Sequence, residues 1–135
     1  MSRRAVALLA AVCVGYSCGG GDSAGPPPPP PAEPGPIDFD VTALAGVEHG
    51  GLLLTVLGGA VDSVTGLAGY EVFHTLTATG ARALVFGSIV DGPLVRVWVP
   101  DRSQAAQYSV RTDEGAVRGT YAVVGGDSYS VAQQP

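Results

Sequence analysis

Short runs of apolar residues recur along residues 37–132, and glycine, aspartate and proline separate them. Runs of this length, rich in β-branched residues, predict strands, and none of them has the spacing of a capped amphipathic helix. The predicted strands are 37–42, 51–57, 61–65, 70–77, 82–90, 94–99, 107–112, 117–124 and 128–132. The gaps between them are too short for repeated crossover helices. The pattern therefore predicts an all-β fold, a single small antiparallel β-sandwich.

The last three predicted strands alternate between apolar and polar residues, which is typical of strands with one buried and one solvated face. A turn is expected between the first two of them, at Asp113-Glu114-Gly115. The residues expected to face the core are Tyr108, Val110, Val117, Tyr121, Val123, Tyr129 and Val131.

Two strands, 51–57 and 82–90, are apolar at nearly every position instead of alternating. We expect them to be central strands, covered on one side by the opposite sheet and on the other by a loop. The alternative is that one of their faces contacts a partner.

The N-terminus has the features of a secretory leader. Arg3 and Arg4 precede the uncharged apolar run 5–14, which is too short to span a hydrocarbon core of about 30 Å. Small residues follow at Gly15 and Ser17. We therefore expect a signal peptide over residues 1–17, cleaved before Cys18.

The dipeptide Ser17-Cys18 resembles the lipobox of bacterial lipoproteins, in which a small residue precedes the cysteine that becomes acylated. The resemblance implies a diacylglycerol on Cys18 and anchoring to a membrane of the bacterial cell envelope, with the outer membrane or cell surface favoured. Two or more acyl chains make a durable anchor, because each buried methylene contributes about 0.8 kcal/mol. The alternative is ordinary secretion, which leaves an unpaired thiol.

Composition and charge narrow the remaining choices. The chain has two cysteines, Cys13 and Cys18, so the domain that follows them can form no internal disulfide. All basic residues are arginine, and the net charge is −5. An acidic chain without lysine argues against a nucleic-acid partner.

We therefore expect three segments: the signal peptide 1–17, a Gly/Pro-rich linker over 18–36 that begins with the cysteine whose acylation the resemblance implies, and a β-sandwich domain over 37–135. The prolines at 26–31 are expected to form a stiff polyproline II spacer. The alternative is that they are a ligand for a proline-recognition domain.

A family resemblance arises in the middle of the domain. The successive segments are GLLLTVLGG, GYEVFHTL, ARALVFGSIV and DGPLVRVWVPD, within residues 51–101. They resemble the C-terminal half of cohesin-like bacterial β-sandwiches. The resemblance implies a jelly-roll binding module that contacts a protein through one sheet face. An immunoglobulin-like sandwich is the other architecture that fits the strand pattern.

No pattern in the sequence predicts catalysis. Gly126-Asp127-Ser128-Tyr129 resembles the serine block of GDSL-type esterases, but no histidine follows it. We interpret it as a turn before the last strand, and we expect a protein that is not an enzyme and has no cofactor.

The sequence also gives little indication of a metal site. His49 and His74, without cysteine, do not form a recognisable zinc spacing. We expect His49 to lie in a loop and His74 to be buried. Asp38 and Asp40 share one face of a strand and could join Asp101 in a calcium site, although a solvated face is favoured because two carboxylates are too few alone.

The strand 94–99 contains the candidate ligand-binding residues. Alternation directs its valines to the core and Leu94, Arg96 and Trp98 to the opposite face. A tryptophan beside an arginine outside the core is typical of a sugar-stacking platform or an interface anchor. The alternative is that a loop buries Trp98, with Arg96 stacked on it. Two functions therefore stand: a non-catalytic module that binds a protein, or a carbohydrate-binding module that uses Arg96 and Trp98.

Mass spectrometry of the mature N-terminus tests the anchor. We expect the mature chain to begin at Cys18 with an acylated sulfur. An unmodified thiol at Cys18 would instead make the protein a secreted one.

Overall fold

Two antiparallel sheets make up the domain. The structure is a computed structural model that describes residues 25–43 and 45–135. Its mostly antiparallel β architecture, with almost no helix, confirms the predicted all-β sandwich. The described residues form the strands β1 (Gly35–Ala43), β2 (His49–Leu57), β3 (Ser63–Gly66), β4 (Glu71–Thr77), β5 (Gly80–Ile89), β6 (Gly92–Val99), β7 (Ser109–Val117), β8 (Val123–Gly125) and β9 (Tyr129–Gln133). The four-stranded sheet has the order β3-β6-β1-β9, and the five-stranded sheet has the order β4-β5-β2-β7-β8.

Aliphatic residues on the inner faces of both sheets form the core. β-Branched side chains suit these positions because they pack well on a pleated surface. The aliphatic residues buried there to 2% exposure or less include Val41, Leu52, Leu54, Val56, Val64, Val85, Leu94, Val95, Val97 and Val99. One face of each sheet is therefore buried in the core, and the other face of each sheet is directed away from the core.

Leu94 was expected on the outer face of its strand, and this expectation was wrong. Phe39 of β1 pairs with Val95 and Asp40 pairs with Pro93, which leaves Leu94 as an extra residue in β6. Such a β-bulge interrupts the alternation of side chains. Leu94 and Val95 are consequently both fully buried.

The segment 113–122 also differs from the prediction. β7 continues through the expected turn and keeps its pairing with β2. Asp113 is an extra residue opposite Leu53 and Leu54 of β2 and forms a bulge there. The chain reverses later, around Gly119, at φ +87°. Tyr121, expected to face the core, lies in this reversal and is 83% exposed. The Gly126–Ser128 segment, in contrast, forms a single 3-10 turn before β9, as predicted.

A buried hydrogen bond joins the two sheets at one end of the sandwich. The hydroxyl of Tyr129 in β9 lies 2.6 Å from Nδ1 of His49 in β2. His49 is 2% exposed, so the expectation that it lies in a loop was wrong. Burial raises the pKa of Tyr129, which keeps its hydroxyl protonated. Gly115 lies beside this hydroxyl, where a Cβ would come within 1.9 Å of the oxygen.

His74 also departs from its predicted place. It shares the inner side of β4 with Val72 and Leu76, as the alternation requires, but it is exposed. The physical reason is that β4 is an edge strand of the wider sheet. The part of β4 from His74 onward extends beyond the core, so the His74 side chain lies in solvent.

The first strand begins slightly before its predicted start. β1 begins at Gly35, and the carbonyl of Glu33 accepts a hydrogen bond from the Arg102 N–H at 2.6 Å. Residues 25–34 are exposed and form no helix or strand. Cys18 and the rest of residues 1–24 lie outside the described residues. Within the described ranges, no helix is long and apolar enough to cross a membrane.

We expect Gly115→Ala to destabilise the fold. Its Cβ would overlap the buried Tyr129 hydroxyl, and overpacking of this kind costs about 1–3 kcal/mol. Gly125→Ala is the matched control, because a Cβ there meets nothing within 4 Å. Denaturant unfolding measures both variants, and equal midpoints for them would contradict the packing described.

Candidate functional site

The outer face of the five-stranded sheet exposes a group of apolar side chains. We define this apolar outer face as Leu53, Phe73, Leu84, Phe86 and Val123. Phe73 is 62% exposed, Phe86 40% and Leu84 37%. The expectation that a loop covers the second face of β2 and β5 was therefore wrong for these residues. A contiguous exposed apolar group is uncommon on a monomeric soluble protein and marks an interaction site.

Strand pairing brings these side chains together. Leu84 of β5 lies between its cross-strand partners Phe73 in β4 and Leu53 in β2. The Phe73 and Phe86 rings meet edge to face, with centroids 6.0 Å apart and planes inclined at 72°. Cross-strand aromatic and aliphatic pairs of this type stabilise a sheet. The face is thus a rigid surface, built on strands and not on loops.

A charged cluster borders the apolar outer face. Thr55 Oγ1 and Arg111 Nε donate to the two carboxylate oxygens of Asp113, the latter at 3.0 Å, and Arg82 Nη2 lies 3.8 Å away. The hydrogen bond from Thr55, followed by that from Arg111, lowers the pKa of Asp113 below its usual value. Two arginines share one aspartate here, so the cluster has a small excess of positive charge.

Arg96 and Trp98 lie on the outer face of the other sheet. Arg96 makes a bidentate ion pair with Asp38, from Nε to Oδ1 at 2.7 Å and from Nη2 to Oδ2 at 2.8 Å. Trp98 is 40% exposed, with Pro36 and Ser63 as its cross-strand neighbours. The interpretation that a loop buries Trp98 was therefore wrong. The ion pair fixes the guanidinium next to an indole that is open to solvent.

The three aspartates considered for calcium have other partners. Asp38 is bound by Arg96, Asp40 accepts from Gln134, and Asp101 caps the 3-10 helix Arg102–Gln107 by accepting from Ser103. Residues 25–43 and 45–135 contain no group of three or more acidic, histidine or cysteine side chains placed to hold a metal ion. The carboxylates of Asp38, Asp40 and Asp101 act in hydrogen bonds of the protein itself.

Sequence reasoning did not single out Phe73 or Val123 as surface residues. The sequence could have predicted that Phe73 faces away from the core, since the segment 71–76 carries apolar residues on both of its faces, as 51–57 and 82–90 do. Val123 was assigned to the core because the turn before it was misplaced. It is 70% exposed because it pairs with Ala116 on the outer face, whereas its neighbour Val124 packs against the core.

Comparison with models of known protein families, with curated proteins and with solved structures found no match to this chain.

We expect Arg96→Gln to raise the pKa of Asp38. The hydrogen bond from Arg96 is the main cause that holds this pKa below the usual 3.8. The ion pair therefore stabilises the fold above pH 3.8, and this contribution is lost as the pH falls through the lower folded-state pKa. Carboxyl NMR titration of Asp38 measures the shift. Arg102→Gln is the control and should change this pKa less, because Arg102 is the weakest of its contributors; an unchanged pKa in Arg96→Gln would contradict the ion pair.

Proposed function

We propose that this protein is a lipid-anchored protein of the bacterial cell envelope, whose β-sandwich is a non-catalytic module that binds a protein partner. The observation that carries the proposal is the apolar outer face. Leu53, Leu84 and Phe86 belong to β2 and β5, whose inner faces are already buried in the core. The exposed phenylalanines and leucine therefore contribute their apolar area to a contact outside the domain.

The chemistry of this face fits a protein partner. Aromatic residues and arginine are enriched at protein interfaces, with apolar anchors in the centre and polar groups at the rim. Phe73, Leu84 and Phe86 provide such a centre, and Arg82 and Arg111 lie at its border. Because Arg111 donates a hydrogen bond to Asp113 at 3.0 Å, its side chain loses less entropy when a partner binds than a free arginine would.

The anchor on Cys18 is the second part of the proposal, and it rests on the lipobox resemblance. The exposed segment 25–34 is rich in proline, which suits a spacer between a bilayer and a folded domain. Anchoring would restrict the module to the membrane surface and raise its effective concentration toward partners in the same membrane.

A carbohydrate-binding module is the second candidate function. The exposed indole of Trp98, with a small serine on one side and a proline on the other, leaves room for a sugar ring to stack. Arg96, held by Asp38, would donate a hydrogen bond beside the ring. This surface lies on the opposite side of the sandwich from the apolar outer face, so the two candidates can be separated by single substitutions.

We expect Leu84→Asp to abolish partner binding, since it places a charge in the centre of the apolar outer face. Immobilised wild-type protein, Leu84→Asp and Trp98→Ala are each incubated with solubilised envelope of the native cell, and the captured proteins are quantified by mass spectrometry. A partner of this face is captured by wild type and by Trp98→Ala, and is lost by about tenfold or more with Leu84→Asp, as for an interface hot spot. Thermal unfolding of each variant confirms that it is folded.

The same variants test the alternative. Trp98 is the single tryptophan of the chain, so its fluorescence across a glycan panel reports on that surface directly. If a glycan changes the Trp98 fluorescence of the wild type and of Leu84→Asp alike, the carbohydrate-binding module is favoured. If no glycan changes the fluorescence of Trp98, the carbohydrate-binding module is excluded. If Leu84→Asp captures the same proteins as the wild type, the protein-binding function is contradicted.

A further inference from the structure

A cavity of about 440 Å³ lies at one end of the five-stranded sheet, where β2 begins and β7 turns toward β8. We call it the turn pocket. Pockets that hold small organic molecules have volumes of roughly 300–1,000 Å³. The side chains that line it include Phe86, Ser88, Ala116, Arg118 and Tyr121. Leu84, the centre of the apolar outer face, is not among the lining residues.

Glycines keep the turn pocket open. Gly50, Gly51, Gly87 and Gly119 contribute to its lining. A Cβ at Gly51 would lie 3.5 Å from the Val85 carbonyl oxygen and 3.6 Å from the Phe86 ring, both ordinary contact distances, so a larger side chain fits at this position of the lining. Since Gly51 pairs with Phe86 on one side and Ala116 on the other, the cavity occupies the place of its missing side chain.

Arg118 supplies a cation at the edge of this apolar space. Its guanidinium donates to the Ser88 hydroxyl. Three other arginines pair with aspartates, at Arg82, Arg96 and Arg111. In residues 25–43 and 45–135, no carboxylate lies within 4.0 Å of Arg118. In an acidic chain, this arginine is therefore available for an external anion, and a guanidinium binds a carboxylate through two parallel hydrogen bonds.

Tyr121 forms a wall of the turn pocket in a strained conformation. Its φ of +57° places it in the left-handed region, which is unfavourable for a residue other than glycine. Two backbone hydrogen bonds hold the turn, from Tyr121 N–H to the Val117 carbonyl and from Val117 N–H to the Ala122 carbonyl. The ring is 83% exposed, so an apolar group of a ligand can pack against it.

We propose that the turn pocket binds a small organic carboxylate with an aromatic ring system. Arg118 and Ser88 bind the carboxylate, while Phe86, Ala116 and Tyr121 contact the ring. This ligand site goes beyond the protein-binding function proposed above. Phe86 belongs to both surfaces, but Leu84, the centre of the apolar outer face, and Arg118 each belong to one of them, so substitutions at Leu84 and Arg118 test the two proposals separately.

The test measures binding of two probes of the same shape to the full-length protein. One is 2-naphthoate, and the other is the neutral 2-naphthylmethanol. We expect 2-naphthoate to bind with a Kd of about 1 mM or tighter by isothermal titration calorimetry, and the neutral probe to bind at least about tenfold more weakly, because hydrogen bonds to charged groups are the stronger ones. In NMR spectra, the amide signals of Gly51, Gly87 and Gly119 should shift with the bound probe.

Four variants locate the interaction. Arg118→Gln should weaken 2-naphthoate binding at least about tenfold, and Gly51→Val should abolish it by filling the cavity. Arg102→Gln, which removes a different exposed arginine, and Leu84→Asp should leave it unchanged. The exposed Arg118 can be replaced without a change in the core, so its variant remains informative if Gly51→Val is destabilised.

Three outcomes would overturn the proposal. One is that the protein binds neither probe at about 10 mM, beyond the weakest affinity expected of a ligand site. Another is that both probes bind equally and Arg118→Gln has no effect, which would make the site a purely apolar one. The third is that Leu84→Asp weakens 2-naphthoate as much as Arg118→Gln does, which would place the probe on the apolar outer face. Loss of protein capture with Leu84→Asp and loss of 2-naphthoate with Arg118→Gln are independent results, so either proposal can fail without the other.

Discussion

The burial of one aliphatic core between two sheets is the constraint on which the rest of this domain depends. Both cysteines of the chain precede residue 19, so the strands from β1 onward are held together without a disulfide. Packing must therefore be close, and the alternate side chains of β1, β2, β5 and β6 are committed to the core. Where alternation would have turned Leu94 outward, a bulge brings it into the core as well.

This commitment determines what the two outer faces can do. On the four-stranded sheet, the outward side chains are largely polar and satisfied within the domain, as the ion pair of Asp38 with Arg96 illustrates. On the five-stranded sheet, Leu84 and Phe86 face solvent although the inner face of their strand is buried in the core, and Phe73 of the edge strand lies beside them. Exposed apolar area of this kind adds little to folding stability and favours association. The contrast between the two faces is the physical basis for proposing the wider sheet as the partner surface.

The sequence predicted the sandwich because alternation and turn residues are local signals. It failed where a contact distant in the chain decides the outcome. Asp113-Glu114-Gly115 has the composition of a turn, yet it remains in β7, since Thr55 and Arg111 bind the Asp113 carboxylate and the pairing with β2 continues past the bulge. His49 was predicted to lie in a loop because it stands beside two glycines. Its buried hydrogen-bond partner, Tyr129, lies eighty residues later in the chain, so no local pattern could indicate it.

The candidate sites were predictable to a smaller extent. The apolar character of both faces of 51–57 and 82–90 was visible in the sequence, but whether a loop covers one face depends on the path of the chain between strands. Arg96 and Trp98 were placed correctly outside the core, because strand alternation is strict after the bulge at Leu94. The ion pair of Arg96 with Asp38 depends on the register of β1 against β6, which no local pattern specifies.

The buried pair of His49 and Tyr129 connects the core to the turn pocket. Gly50, which follows His49, is an extra residue opposite β7, so β2 carries a bulge at this point. On the other side, β5 has the extra residue, because Gly87 and Ser88 lie opposite the single Gly50. A bulge redirects the strand locally, and here it precedes Gly51 in the lining of the pocket. The bond from His49 to the other sheet holds the start of β2 in place. A binding site that rests on such a fixed strand end needs little rearrangement to accept a ligand, and the same contact that closes the core thereby preorganises the pocket above it.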